Sequence, residues 1–188
     1  PGIKVFRSLE LPPLASLPGS YFLSPTVFLP DLHLGWILSS FLCGKEVIEK
    51  EEIDLIYVSC GPPSSTLIGL LLKRATDKPL VMDFRDSWTF NPYRRYPTFI
   101  HRSFDGLLES LVMRNVDHLV VVTNSMKREY LKKYPFLKGR VSYIPNVFAS
   151  DLIPRADLQE FNKFTIVYTG SFYGSRQPDL FLLSLKNF

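Results

Sequence analysis

The chain has 188 residues, 46% of them hydrophobic and 21% charged, with a net charge of +4 and a pI near 9.1. This ordinary globular balance permits a sizeable core, and the mild basicity permits an acidic partner such as a phosphate, a nucleotide or an anionic membrane surface. No apolar run approaches the ~18 residues of a membrane span. The basic residues form no concentrated stripe for nucleic-acid readout. Cys43 and Cys60 have neither metal nor CxxC spacing, which points to a reduced, cytoplasmic setting.

Prolines 12, 13, 18, 25 and 30 exclude a long regular element from residues 8–32. Asp31 is placed to cap a helix from about Leu34 to Glu49, with Trp36, Ile37, Phe41 and Val47 toward the core. IDLIYVS (53–59) reads as a buried strand, CGPPSS (60–65) as a turn, and Ser64 or Ser65 as the start of an apolar helix. PLVMDF (79–84) is the next strand, followed by a polar, aromatic loop to about Pro97. A helix over 98–115 carries Phe104, Leu107, Leu108, Leu111 and Val112 at helical spacing. HLVVVT (118–123) is a strand, Asn124 or Ser125 caps the helix MKREYLKKY, and VSYIPN (141–146) is a strand. FTIVYTG (164–170) is a further strand, and Pro178 opens a last helix, DLFLLSLKN.

Strands alternating with helices, and apolar along their length, predict an α/β fold built on a doubly wound, Rossmann-like parallel sheet. Such sheets bind ligands outside the carboxyl ends of their strands. Residues 1–150 are expected to form one Rossmann-like lobe, 151–163 a linker, and 164–188 the first strand and helix of a second domain.

Four segments carry chemistry at or near that edge. CGPPSS can present free N–H groups and hydroxyls to an anion, or be a tight turn with an N-cap. DFRDSW (83–88) has two residues between its acids, whereas aspartyl phosphotransfer needs one. Arg85 is therefore read as a guanidinium oriented by Asp83 and Asp86, either in a site or in a structural ion-pair cluster. TGSFYGSRQP (169–178) combines two glycines, Arg176 and a helix start, a set that suits a diphosphate or makes an ordinary loop. The basic helix MKREYLKKY suits an anionic membrane surface or a solvated face. His33, His101 and His118 show no metal spacing, and no metal site is expected.

The ordered set PDLHLGWI, IDLIYVSCGPPSSTLIGLLLKR, DFRDSW, HLVVVTNSMKREYL, VSYIPNVF and IVYTGSFYGSRQPDLFLLSL resembles the GT-B glycosyltransferases, specifically the retaining family 4 (group 1), from about Pro30 to Phe188. The resemblance implies an acceptor lobe followed by a donor lobe, a nucleotide-diphosphate sugar as donor substrate and no separate cofactor. It also implies a glycan or lipid-linked acceptor, polysaccharide or lipopolysaccharide assembly, and a cytoplasmic enzyme that touches the inner membrane surface. Carried over by position, Ser59, Gly61, Ser64, Asp83, Arg85, Asp86 and Trp88 belong to the acceptor cleft, with Trp88 as packing or a stacking platform. Gly170, Ser171 and Arg176 belong to the donor diphosphate site. The catalytic residues stay unassigned. Val147 stands where the family commonly has Gly, and the family's opening Gly-rich loop and later glutamate pair are not matched, so a fragment inactive on its own is expected. The alternatives are a non-catalytic Rossmann-like scaffold protein and a GT-B sugar-nucleotide epimerase.

Overall fold

The structure, a computed structural model, describes residues 2–9, 29–31, 33–148, 161–172 and 177–187. It divides into two compact units, Pro1–Asn146 and Val147–Phe188.

In the first unit a 3-10 turn (Leu34–Trp36) leads into α1 (Ile37–Lys50). Then come β1 (Ile56–Cys60), α2 (Ser64–Thr76), β2 (Leu80–Phe84), α3 (Phe99–Asn115), β3 (His118–Val121), α4 (Asn124–Lys133) and β4 (Val141–Tyr143). The four strands form one parallel, Rossmann-like sheet in the order β1-β2-β3-β4. Because the order is sequential, right-handed crossovers put α2, α3 and α4 on the same face. That face carries the core. Ile56, Leu80, Met82, Phe84, Leu119, Val121 and Val141 pack there with Ile68 and Leu72 of α2, Val112 and Met113 of α3, and Met126 and Tyr130 of α4. Close approach is built in at Gly69 of α2, where a Cβ would lie 2.6 Å from Val58 Cγ2. Helix α1 lies against α2, with Gly44 beside Leu72.

The opposite face is polar. The register aligns Ser59 with Asp83, Asp83 with Val120, and Val120 with Ser142. The strands thus alternate, although they read from sequence as continuously apolar. Phe84 points to the core and Asp83 away from it, as the pleat requires.

Several local expectations shift. Asp31 does not cap α1: its Oδ1 accepts from the His33 N–H (2.8 Å), and its Oδ2 accepts from the Ser64 N–H (2.6 Å) at the head of α2. Helix α4 is capped by Thr123, whose Oγ1 accepts from Met126 N–H (3.0 Å), one residue before the expected cap. In α3, Phe104, Leu107 and Leu111 are exposed, while Asp105, Glu109, Val112 and Met113 are buried. The acids hold the inward face because partners from the loop before α3 and from α4 neutralise them there, leaving the leucines and Phe104 outward.

In the second unit, helix α5 (Asp179–Lys186) starts after Pro178. Residues 164–170, expected as a strand, form none among the described residues. A strand is held by a hydrogen-bonded neighbour, and no second strand is present among the described residues of this unit.

Candidate functional site

The candidate site lies at the carboxyl end of β1 and β2. The turn 61–63 leaves β1, and the loop 85–97 leaves β2. Between them is a cavity of about 280 Å³ walled by Gly61, Pro63, Asp86, Trp88, Asn91 and Tyr93, with Cys60 also lining it. Burial pushes the Cys60 thiol up to about 12, so it stays protonated at neutral pH and is a poor nucleophile.

A thirteen-residue loop holds a shape only if its polar groups are tied down. Two buried acids on one face of α3, four residues apart, do this. Asp105 accepts from Arg94 through both oxygens (Nε to Oδ2 at 2.6 Å, Nη2 to Oδ1 at 2.8 Å). It also accepts from Tyr96 Oη (2.5 Å) and Trp88 Nε1 (3.0 Å). Burial first, and the Asp105 hydrogen bond second, push the Tyr96 phenol up to about 12. Glu109 accepts from Thr89 N–H (3.2 Å) and Oγ1 (2.7 Å), from Tyr134 Oη (2.7 Å) and from Lys133 Nζ (2.5 Å). Tyr130 Oη donates to Glu109 (3.3 Å) and accepts from the Trp88 N–H (3.2 Å). The loop is thus stapled to α3 and α4 near its start, at Trp88 and Thr89, and near its end, at Arg94 and Tyr96. Between the staples, Asn91 and Tyr93 are held at the cavity, where Asn91 Oδ1 accepts from Tyr93 N–H (2.9 Å).

The DFRDSW residues separate by the alternation of the strand. Asp83 is buried, and its Oδ2 accepts from Tyr57 Oη (2.5 Å) and from Arg85 Nε (2.7 Å) and Nη2 (2.5 Å). The hydrogen bond to Asp83, with burial second, raises the Tyr57 phenol above its ordinary range. Asp83 Oδ1 is buried without a partner. Arg85 also donates from Nη1 to Asn146 Oδ1 (2.9 Å), tying the end of β2 to the last residue of the first unit. Asp86 lines the cavity instead. Asp83 therefore orients Arg85 on the polar side of the sheet, and Asp86 stands apart from that pair. Trp88 is 1% exposed, with its indole N–H given to Asp105, so it supports the loop and cannot serve as an open stacking platform.

Of the remaining expected residues, Gly61 lines the cavity and Ser59 is exposed at the end of β1. Ser64 is fully buried, and its Oγ accepts from Trp36 Nε1 (3.0 Å). The start of α2 is not an open anion site: Asp31 already holds the Ser64 N–H, and Ser65 and Thr66 N–H donate to Pro62 and Pro63 carbonyls. Gly170 adopts φ +154°, with Tyr168 Oη 2.9 Å from where a Cβ would stand, and Ser171 accepts from Tyr168 Oη (3.4 Å). Arg176 lies outside the described residues. A hollow of about 450 Å³ within the second unit is walled mainly by Ile166, Val167, Phe172 and Phe181, and its described lining residues carry no charge.

Reading the sequence overlooked Tyr57, Asn91, Tyr93, Arg94, Asp105 and Glu109. One local signal pointed to two of them: Asp105 and Glu109 sit four apart in α3, on the side of the apolar Val112 and Val116.

A family model for Glycosyltransferase Family 4 matches residues 11–151, more than half of the chain. No curated protein sequence matches it. The four-stranded parallel, Rossmann-like sheet flanked by helices is consistent with that match. The chain therefore belongs to Glycosyltransferase Family 4, and carries a glycosyltransferase domain of the GT-B type.

Proposed function

We propose that this domain holds the sugar acceptor of a retaining transferase that uses a nucleotide-diphosphate sugar. The observation that supports this is the stapled cavity at the carboxyl edge, where Asp86, Asn91 and Tyr93 offer a carboxylate, an amide and an aromatic ring. A carboxylate and an amide hydrogen-bond sugar hydroxyls, and a half-exposed tyrosine packs on an apolar sugar face. Asp83 acts through Arg85, whose guanidinium it fixes at the polar side of the sheet.

In this reading the segment 151–163 is a linker and residues 164–188 begin the donor-binding lobe. Gly170, Ser171 and Arg176 meet the donor diphosphate, where the Arg176 charge stabilises the leaving group as its C–O bond breaks. The acceptor is a glycan or lipid-linked saccharide in polysaccharide or lipopolysaccharide assembly, on the cytoplasmic side.

The test is thermal unfolding of the protein at its full natural length against a panel of nucleoside-diphosphate sugars, with release of the nucleoside diphosphate followed in parallel. A true donor at a hundredfold excess over its Kd stabilises by ~2.7 kcal/mol. If no nucleotide sugar raises the midpoint and none is consumed, the reading fails.

A further inference from the structure

The cavity at the carboxyl edge has a sign as well as a shape. Among the described residues, its charged lining is Asp86 and Arg94. Arg94 is spent on the loop: Nε donates to Asp105 and to Tyr96 Oη (2.9 Å), and Nη2 donates to Asp105 and to the Pro30 carbonyl (2.5 Å). The fully buried Asp105 answers its charge as a bidentate partner. Asp86 is the opposite case. It is exposed, and its carboxylate makes no hydrogen bond and no ion pair among the described residues.

The field at the cavity wall has the same sign. Burial is the main cause that raises the Cys60 thiol, and the carboxylates of Asp31, Glu109 and Asp86 add to it, against Arg94. Asp31 and Glu109 already accept hydrogen bonds from the protein, so the charge still open to a ligand is that of Asp86. Size limits the occupant: drug-sized ligands take roughly 300–1,000 Å³, whereas this cavity of about 280 Å³ suits a single saccharide unit. Asn91 Oδ1 is held by the Tyr93 N–H, which leaves the Asn91 NH2 group to donate to a sugar hydroxyl. A hydroxyl or an ammonium on that sugar can donate to Asp86. A carboxylate there would meet like charge in a hollow walled partly by the buried Cys60 and Trp88, where water screens it less.

We propose that the sugar unit held in this cavity is neutral or carries an amine, and that Asp86 excludes a uronic acid. This rests on the acceptor reading of the site and adds to it the charge class of the acceptor. Asn91 and the Tyr93 ring hold the sugar whatever its charge, and Asp86 sorts by charge.

The test is titration of the protein at its full natural length with methyl glycosides, followed by ligand-detected nuclear magnetic resonance. The glucose, galactose and mannose series are each used as the neutral sugar, the 2-amino sugar and the uronate. In a series that binds, the uronate should be about tenfold weaker than the neutral sugar, and the amino sugar at least as tight. Asp86→Asn keeps the shape and removes the charge. It should bring the uronate within about twofold of the neutral sugar and weaken the amino sugar. Asn91→Ala should weaken all three alike, which places the binding in this cavity. No binding by any series, a uronate as tight as the neutral sugar, an unchanged preference in Asp86→Asn, or full binding by Asn91→Ala overturns the proposal. Donor turnover is scored separately. Sugar binding with this preference but no consumption of any nucleotide sugar leaves the cavity assignment standing while the transferase reading fails, and turnover with a uronate-tolerant cavity does the reverse.

Discussion

The staple on the site loop makes a quantitative demand at Asp105. Asp105→Asn keeps the shape but offers one acceptor oxygen where the carboxylate offers two. If that oxygen serves Arg94 Nη2 and Trp88 Nε1, the new NH2 group faces Arg94 Nε, donor against donor. Tyr96 can turn to accept from it, but Arg94 then loses one charge-assisted hydrogen bond and its counter-ion. Breaking a buried pair by removing one partner costs about 3–5 kcal/mol. The Arg94 side chain keeps 19% of its exposure and hence some water, so the low end, about 3 kcal/mol, is expected. That is a large share of a typical 5–15 kcal/mol domain stability, roughly a fifth to three-fifths. Urea unfolding should show a lower midpoint at unchanged slope, because the surface exposed on unfolding does not change. Trypsin should cut faster after the exposed Arg95 as the loop loosens. In a double-mutant cycle with Arg94→Met, the double variant should be more stable than additivity predicts, by about 1–3 kcal/mol. An Asp105→Asn midpoint within about 0.5 kcal/mol of the parent, or strict additivity in the cycle, would refute the staple.

Two further outcomes follow from the fold. Gly69→Ala should destabilise by about 1–2 kcal/mol although alanine favours helix, because the new Cβ meets the stiff Val58 side chain at 2.6 Å and Leu80 Cδ1 at 3.2 Å; a raised unfolding midpoint would show that α2 can move away from the sheet. Asp117 accepts from Lys73 Nζ and from the Leu80 N–H; partial burial works to raise its carboxyl, but these donors outweigh it and hold the group below its ordinary 3.8. Its contribution is therefore complete above that value and is lost as pH falls through the lower folded pKa. Lys73→Met should flatten the fall of stability across that acid window, and parallel curves for the two proteins would count against the pair.

How far the sequence reaches depends on the distance over which each feature is decided. The alternation of strands and helices, the parallel sheet and the edge where a site should lie follow from composition and period within about ten residues, because burying one face of an element imposes that period locally. IDLIYVS, PLVMDF and HLVVVT all contain strands near their expected bounds for this reason. The family resemblance was legible in the same way, as an ordered series of short segments.

What lay beyond the sequence was every feature that depends on a partner far along the chain. Asp31 caps a helix that starts 33 residues later, because the fold sets its carboxylate against the Ser64 N–H. Asp83 and Asp86, three apart in DFRDSW, serve different groups: the pleat turns Asp83 toward Tyr57 and Arg85, while Asp86 lies past the strand end in the cavity wall. In α3 the apolar residues alone suggest that Phe104, Leu107 and Leu111 belong to the core. Only tertiary structure shows that Arg94 and Lys133 neutralise Asp105 and Glu109 and so let two acids take the inward face. Periodicity reports which residues share a face. Which face is buried depends on whether charges brought from elsewhere in the chain can meet the desolvation cost there, and that is settled only when the chain folds.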